Sequence, residues 1–401
     1  MISLAGRDIL HAWGKFAFTG LGLGLLIGVT LVMAGVYRGM VQDGRALLDN
    51  SGADLWVVQQ DTLGPYAESS SVADDLYRGI LGMPGVTHAA NVTYLTMQVR
   101  SGGRDVRAMV VGLATTGRWD EPGWPTRLAA GRPITRSHYE AIADLATGFQ
   151  IGDVLSLRNN RYTVVGLTRR TVSSGGDPMV FLTLKDGQQA QFTKDNDAIR
   201  RSRERNRENP ILAAPGAKGA LAVLDASQES SRSVNAILVR LAPGVPPESV
   251  AEQIRAWKRL EVHTRVDMES ILIGKLIATS ARQIGLFLII LAAVSAAIVA
   301  FIIHTLTMEK IREIAVLKLI GTRDRTIAWM IVQQALVLGA IGFAVGRITA
   351  AYSAPLFPKF VLLTPMDSVL GFASVMVICL LASGLAVRVA LRVDAADAIG
   401  G

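Results

Sequence analysis

Five histidines, His11, His88, His138, His263 and His304, are the first places to look for metal or proton chemistry, and they are scattered without ligand spacing. A zinc site draws its ligands from short spacings, so none is read here. The single cysteine, Cys379, excludes an intrachain disulfide and any Cys-rich metal centre. It lies in an apolar block, where a small buried hydrophobe is the default. Asp74 and Asp75 are paired carboxylates, but adjacent residues on a helix do not face one another, so they read as surface. The nearest approach to a phosphate-cradling loop is Gly274-Lys275, which is followed by Leu276 and lacks the earlier glycine of G-x-x-x-x-G-K-[ST]. No G-x-S-x-G nucleophile elbow is present. The chain is therefore read as a non-catalytic subunit, with no cofactor or metal site of its own.

The elements around these residues are those of a membrane protein. Half of the 401 residues are hydrophobic and only 18% are charged, where soluble domains carry about 25% charged residues. The apolar excess is concentrated in blocks at the two ends. Residues 16–37 hold no charge between Lys15 and Arg38, and Gln283–Met308 contains no Asp, Glu, Lys or Arg. Two more blocks lie between Arg325 and Arg347 and between Asp367 and Arg388. Each reaches the roughly 20 residues a helix needs to span a bilayer. The first could be a signal peptide, but it exceeds the usual apolar core of about 7–15 residues and reads as an uncleaved span. Gly79–Val99 also lacks charge, yet Pro84, Gly85, His88 and Asn91 mark a turn leading into a strand. Within the spans, Gln333, Gln334, Arg347 and His304 read as structural residues near the interfaces, where snorkelling is cheap.

Basic residues set the orientation. Arg7 and Lys15 precede the first span, Lys310, Arg312, Lys318, Arg323 and Arg325 lie between the second and third, and Arg388 and Arg392 follow the fourth. The loop between the third and fourth offers only Lys359. By the positive-inside rule both termini and 309–325 face the cytoplasm, and 38–282 faces outward. The net charge of +8 sits beside the apolar blocks, so it is topogenic and gives no case for nucleic-acid binding.

The outward segment alternates short β-rich runs with turn residues: "ADLWVVQQ", "THAANVTYLTMQVRSGGRDVRAMVVGL" and "GDVLSLRNNRYTVVGLTRR", the last read as a hairpin turning at Asn159-Asn160. Ser71–Leu81 and Pro247–Lys258 read as helices, the second with Val250, Ile254 and Trp257 at helical spacing. The fold class is thus an α-helical membrane protein with four transmembrane helices plus an α+β extracytoplasmic domain. A helical pattern from about Asp267 to Arg282 predicts a stalk into the second span. The mixed-charge run Arg200–Glu208 reads as a solvated tip or loop, or else as a docking patch for an acidic partner.

The segment "TMEKIREIAVLKLIGTRDRTI", Thr307–Ile327, is distinctive. As a helix it puts Ile311, Ile314, Ala315 and Lys318 on one side with Leu317 and Leu319 adjoining, crowds Glu309, Lys310, Arg312 and Glu313 into its first turns, and ends at Gly321. A generic interfacial helix is the plain reading, but short length and mixed charge suit a docking element better. This string resembles the coupling helix of MacB/FtsX-type permeases of ABC transporters, written "E…RxxEIAVLKAIGA". Glu309, Arg312, Glu313, Ile314, Ala315, Val316, Leu317, Lys318, Ile320 and Gly321 match it, whereas Leu319 and Thr322 depart from the commonest alanines. The ending "RVALRVDAADAIGG" is similar to the family's through Asp394, Ala398 and Ile399, with Ala395 where proline is usual. The opening "LAGRDILHAWGKFAFTGLGLGLLIG" resembles its amphipathic leading helix and first span, and "GDVLSLRNNRYTVVGL" its MacB-like periplasmic core more loosely. "GADLWVVQ" resembles the DevC-like and haem-exporter-like branches.

The resemblance implies this layout: 1–15 a cytoplasmic amphipathic helix, 16–37 the first span, 38–266 the extracytoplasmic domain, 267–308 stalk and second span, 309–325 the coupling helix, 326–353 the third span, 354–366 a short external loop, 367–387 the fourth span and 388–401 a cytoplasmic tail. It also implies a bacterial inner-membrane location and a homodimer paired with a separate ATPase subunit that binds ATP and Mg. A periplasmic adaptor and outer-membrane channel are possible further partners. Glu309, Arg312, Glu313, Ile314, Leu317, Lys318 and Gly321 become the expected ATPase-coupling residues, with the apolar side of their helix packing on the ATPase. Export by mechanotransmission is the expected function. The alternatives are an FtsX-like transmitter acting on an external cell-wall hydrolase, and a lipoprotein-release permease.

Overall fold

The computed structural model describes residues 13–114, 121–125, 127–158, 160–192, 232–357 and 359–392. They divide into two units, Val41–Ala278 and Met1–Met40 with Thr279–Gly401. The 200–208 charge run, the start of the leading helix and the 393–401 ending lie outside the described residues.

Helix α1 (Trp13–Ser51) contributes to both units. Beyond it, the domain 41–278 is built on a mixed sheet of β1 (Leu55–Gln59), β3 (Val86–Ser101), β4 (Arg104–Leu113), β5 (Ala130–Gly131), β6 (Glu140–Asp144), β7 (Val154–Leu157), β8 (Asn160–Thr168), β9 (Met179–Thr183), β11 (Ala236–Leu241) and β12 (Leu260–Thr264). Its order is β12-β1-β11-β3-β4-β9-β6-β8-β5, with β7 bridging β3 and β8. The pairs β4–β9 and β6–β8 are parallel. Strands β6 and β9 are buried at every residue, as strands covered on both faces must be, which suits the apolar Ala141–Ala143 and Met179–Leu182 at their centres. The 16-residue β3 turns into β4 through Gly102-Gly103, whose φ of 54° and 82° suit a tight two-residue hairpin.

Two sequence readings are corrected here. Leu157 pairs with Asn160, so Asn160 belongs to β8 and the turn starts one residue earlier, at Arg158 with φ 51°. The predicted helix 71–81 is a strand followed by a helix: β2 (Val72–Ala73) pairs with β10 (Ser233–Val234), and α2 covers only Leu76–Leu81. Helix α3 (Leu184–Phe192) packs on β3 and β4. Helix α4 (Pro247–Trp257) starts with proline at its first turn and buries Val250, Ala251 and Ile254. Trp257, expected on that face, is 42% exposed and lies over Gly79, where an added Cβ would meet its ring at 2.3 Å.

Helix α5 (Arg265–Ile271) begins with a capping box. Asp267 Oδ2 accepts from the Thr264 backbone N–H at 2.9 Å, and Thr264 Oγ1 accepts from the Asp267 N–H at 3.3 Å. Burial raises the Asp267 pKa, but the hydrogen bonds from Thr264 outweigh it and the carboxyl ends below its ordinary value. A π-helical stretch, Leu272–Ile277, follows. In the same domain Arg45 on α1 pairs with Glu269 at 2.9 Å, and Arg265 pairs with Asp49.

The other unit holds the beginning of α1, then α6 (Ala278–Glu309), α7 (Ile311–Leu319), α8 (Asp324–Ser353) and α9 (Pro365–Arg392). Four helices are long and apolar enough to cross a membrane: Ala17–Ser51, Arg265–Glu309, Asp324–Leu356 and Pro365–Arg388. Lipid offers no hydrophobic drive for helices to associate, so close backbone contact must hold them together. Glycines provide it between α1 and α8. A Cβ on Gly24 would stand 2.9 Å from the Gly342 carbonyl oxygen, and one on Gly346 2.7 Å from that of Gly24. The loop after α8 lies on α1: the Leu362 N–H donates to the Gly35 carbonyl at 3.0 Å, and the Phe360 oxygen occupies the space a Gly39 Cβ would need. Arg38 closes the arrangement with a 2.6 Å ion pair to Asp367. Gln334 is buried inside the packed face of α8 beside Ala335 and Leu338. Arg347 Nε donates to Ser368 Oγ at 3.0 Å.

Candidate functional site

The site is the nine-residue helix α7 between two long apolar helices. Helix α6 stops because Lys310 leaves helical geometry, with φ −99° and ψ 9°. The chain resumes as a helix at once, the Ile314 N–H donating to the Lys310 carbonyl at 2.9 Å. Burial lowers the Lys310 pKa, and the Glu313 carboxylate partly opposes that. At the other end Gly321 adopts φ 88°, the left-handed conformation glycine takes without strain. The Gly321 N–H then donates to Lys318 O at 2.9 Å and the Thr322 N–H to Leu317 O at 3.0 Å. These two bonds are the Schellman motif, and they consume carbonyls that would otherwise be orphaned. The helix is thus stopped sharply at both ends, with rigid corners.

The anticipated residues do not form one face. Ile314 and Ala315 are buried, each 2% exposed, and Ile314 joins the same apolar cluster as Ile303, Ala386 and Ala390. Leu317 and Lys318 are half-buried, and Lys318 Nζ donates to the Leu391 carbonyl near the end of α9 at 2.9 Å. Only Glu309, Arg312, Glu313 and Gly321 face solvent. Ile314 and Ala315 on the side expected to pack on a partner are thus packed within the chain, and Ile311 beside them is half-buried. Sequence reading missed the opposite side. Val316, Leu319 and Ile320 are 45%, 65% and 76% exposed, and their i, i+3, i+4 spacing makes a second apolar stripe beside Arg312 and Glu313. A helical wheel carries that signal, but the first stripe masked it.

Elsewhere, no group of three or more His, Cys, Asp and Glu among the described residues could hold a metal. The domain has an open cavity of about 1000 Å³ lined by Asp74, Asp75, Arg78, His88, Glu121 and Arg232 among others. The buried Glu140 carboxylate accepts from Arg132 Nη2 at 2.5 Å and from the Thr135 and Arg136 N–H groups. The Arg132 guanidinium is the main cause that brings its pKa down to about 2. His138 Nδ1 lies 2.7 Å from buried Asp186, which also accepts from the Tyr139 N–H at 3.1 Å. These hydrogen bonds fix the loops that carry Thr135, Arg136 and Tyr139.

Comparison with known proteins fits this architecture. Residues 16–257 match the MacB-like periplasmic core domain, and 285–395 match the FtsX-like permease C-terminal region. The chain is similar to two uncharacterized ABC transporter permeases of Mycobacterium tuberculosis, 26% and 25% identical over 403 residues, each alignment covering 100% of both chains. Among solved structures, the periplasmic region of MacB from Actinobacillus actinomycetemcomitans is similar at 10% identity and TM-score 0.35, covering 55% of this chain and 91% of that one. The extracellular domain of the transporter YknZ from Gram-positive bacteria gives 12% identity and TM-score 0.31, covering 53% and 99%. The chain belongs to the MacB/FtsX-type family of ABC transporter permeases. It is a membrane protein with a MacB-like domain and an FtsX-like C-terminal region.

Proposed function

We propose that the chain is the permease of an export system in which a separate ATPase drives the membrane helices through α7. The observation that carries this reading is the second apolar stripe. A short helix, broken from α6 at Lys310 and capped at Gly321, presents Val316, Leu319 and Ile320 beside Arg312 and Glu313. Apolar anchors rimmed by opposite charges are what an ATPase groove needs for affinity and register. In this reading Glu309–Arg325 and both termini face the cytoplasm of a bacterial inner membrane, and 38–282 lies outside, as the distribution of Lys and Arg favours. ATP and Mg bind the partner. The permease works as a homodimer and passes the ATPase stroke outward to the domain, where substrate is expelled, with an adaptor and outer-membrane channel completing the route in envelopes that have them.

The test is co-purification from the native membrane, with bound subunits identified by mass spectrometry. Losing one buried anchor commonly costs about 2 kcal/mol, roughly 30-fold in affinity. Wild-type permease should bring down an ABC ATPase, whereas Glu313→Lys and Leu319→Asp should lose it and abolish transport. Glu252→Lys, an exposed reversal on α4, should retain it. Normal ATPase recovery with both α7 variants would sink the proposal.

A further inference from the structure

Lys318 matches the coupling motif, yet its charge is turned away from the surface that α7 offers a partner. Its ammonium donates to the Leu391 carbonyl at 2.9 Å. Leu391 is among the last described residues of α9, and its carbonyl oxygen has a second lone pair free to accept a charged donor. Position 318 is fixed from both sides. One turn earlier Ile314 and Ala315 are buried, Ile314 in the cluster that holds Ala382, Ala386 and Ala390 of α9. Immediately afterwards the Schellman bonds at Gly321 and Thr322 lock the helix end, one of them to the Lys318 carbonyl itself.

We propose that Lys318 is a positioning residue, a strut that ties α7 to the cytoplasmic end of the fourth span so that displacement of α7 is delivered to α9 directly. Displacement reaches α6 and α8 directly through the peptide chain, but α9 is joined to α7 only through the whole length of α8 and the loop after it. The small buried side chains along α9 let the two helices approach, but apolar contact alone resists sliding weakly. A charged hydrogen bond to one carbonyl sets the register. The sharing of the coupling motif with an ATPase surface is therefore divided: the outer stripe docks, and Lys318 transmits. This rests on the coupling role proposed above for α7.

The experiment uses full-length permease in nanodiscs with spin labels on exposed positions Val316 and Arg388, in a Cys379→Ala background. With labelled chains diluted into an excess of unlabelled permease, so that one labelled chain is present per dimer, double electron–electron resonance should give one narrow distance for the wild type and for Lys318→Arg, which keeps a cationic donor. Lys318→Met should lose that single narrow peak while keeping its melting temperature. Should Lys318→Met melt early, Lys318→Gln serves in its place, being polar and too short to reach the carbonyl. In the complex recovered from native membranes, Lys318→Met should keep ATPase binding but lose stimulation of ATP turnover by the permease, and Lys318→Arg should restore it. An unchanged narrow peak in Lys318→Met overturns the strut whatever the ATPase does. Loss of ATPase binding in Lys318→Met with the peak intact would make Lys318 a docking residue and overturn it too. Failure of the docking reading shows separately, as normal ATPase recovery with Glu313→Lys.

Discussion

The seam between α1 and α8 allows a quantitative test of how the membrane unit is held together. Replacing Gly346 by alanine adds one Cβ, which would lie 2.7 Å from the Gly24 carbonyl oxygen and 2.9 Å from Ile27 Cβ. Ordinary contact begins at 3.4 Å, so the helices must separate by about 0.7 Å, and neighbouring pairs along the seam forfeit part of their dispersion energy. Both obstacles are rigid, one a backbone oxygen and the other a branched carbon, so no rotamer change relieves them. Overpacking of this kind costs about 1–3 kcal/mol. Gly22→Ala is the internal control, because nothing lies within 4 Å of a Cβ there. Unfolding in mixed micelles with increasing SDS, followed by circular dichroism, should show Gly346→Ala melting early and Gly22→Ala melting like the wild type. Gly24→Ala should behave like Gly346→Ala, and the double variant should cost less than the sum, since the first alanine already opens the seam. If Gly346→Ala and Gly22→Ala unfold together, the seam does not hold these helices and the packing argument is wrong.

Three further outcomes are expected. Because the folded-state pKa of Glu140 is lowered from 4.5 to about 2, its stabilisation is complete above the ordinary value and drains away as pH falls toward the folded one. Glu140→Gln should cost about 1–3 kcal/mol at neutral pH and flatten that acid limb in a pH series of thermal melts. Thr264→Ala removes half of the capping box at the start of α5 and should cost about 1 kcal/mol by chemical denaturation; no change would mean the box is redundant there. Cysteines introduced at Arg325 and Glu252, with Cys379 replaced by alanine, should label from opposite sides of sealed vesicles; same-side labelling would overturn the proposed topology.

Much of this was legible in the sequence because charge-free runs and Lys/Arg placement act locally. The four apolar helices, the β-rich runs and the stop at Gly321 follow from residues next to one another. What was hidden depends on distant partners. Val72 is a strand residue only because Val234 pairs with it, and a local pattern cannot name that partner. Asn160 favoured a turn by type, yet Arg158 takes the left-handed conformation because the register of β7 against β8 demands it. On α7 the sequence displayed two apolar stripes, and only the packed chain decides that Ile314 is interior and Leu319 is not. Gly24 and Gly346 look like ordinary span glycines until the opposing helix is in place.

The loop seated on α1 has a mechanical consequence. With the Leu362 N–H bonded to Gly35, the Phe360 carbonyl wedged at Gly39 and Arg38 paired to Asp367, the loop works as a clasp between the first span and the start of the fourth. A clasp of this form resists shear along the helix axis and also rotation about it. A pull applied along the first span is therefore shared with the fourth, and neither can slide as a lone piston. Force would pass through this end of the membrane unit as the movement of a paired beam, and a side chain at Gly39, which would collide with the Phe360 carbonyl, would loosen that pairing.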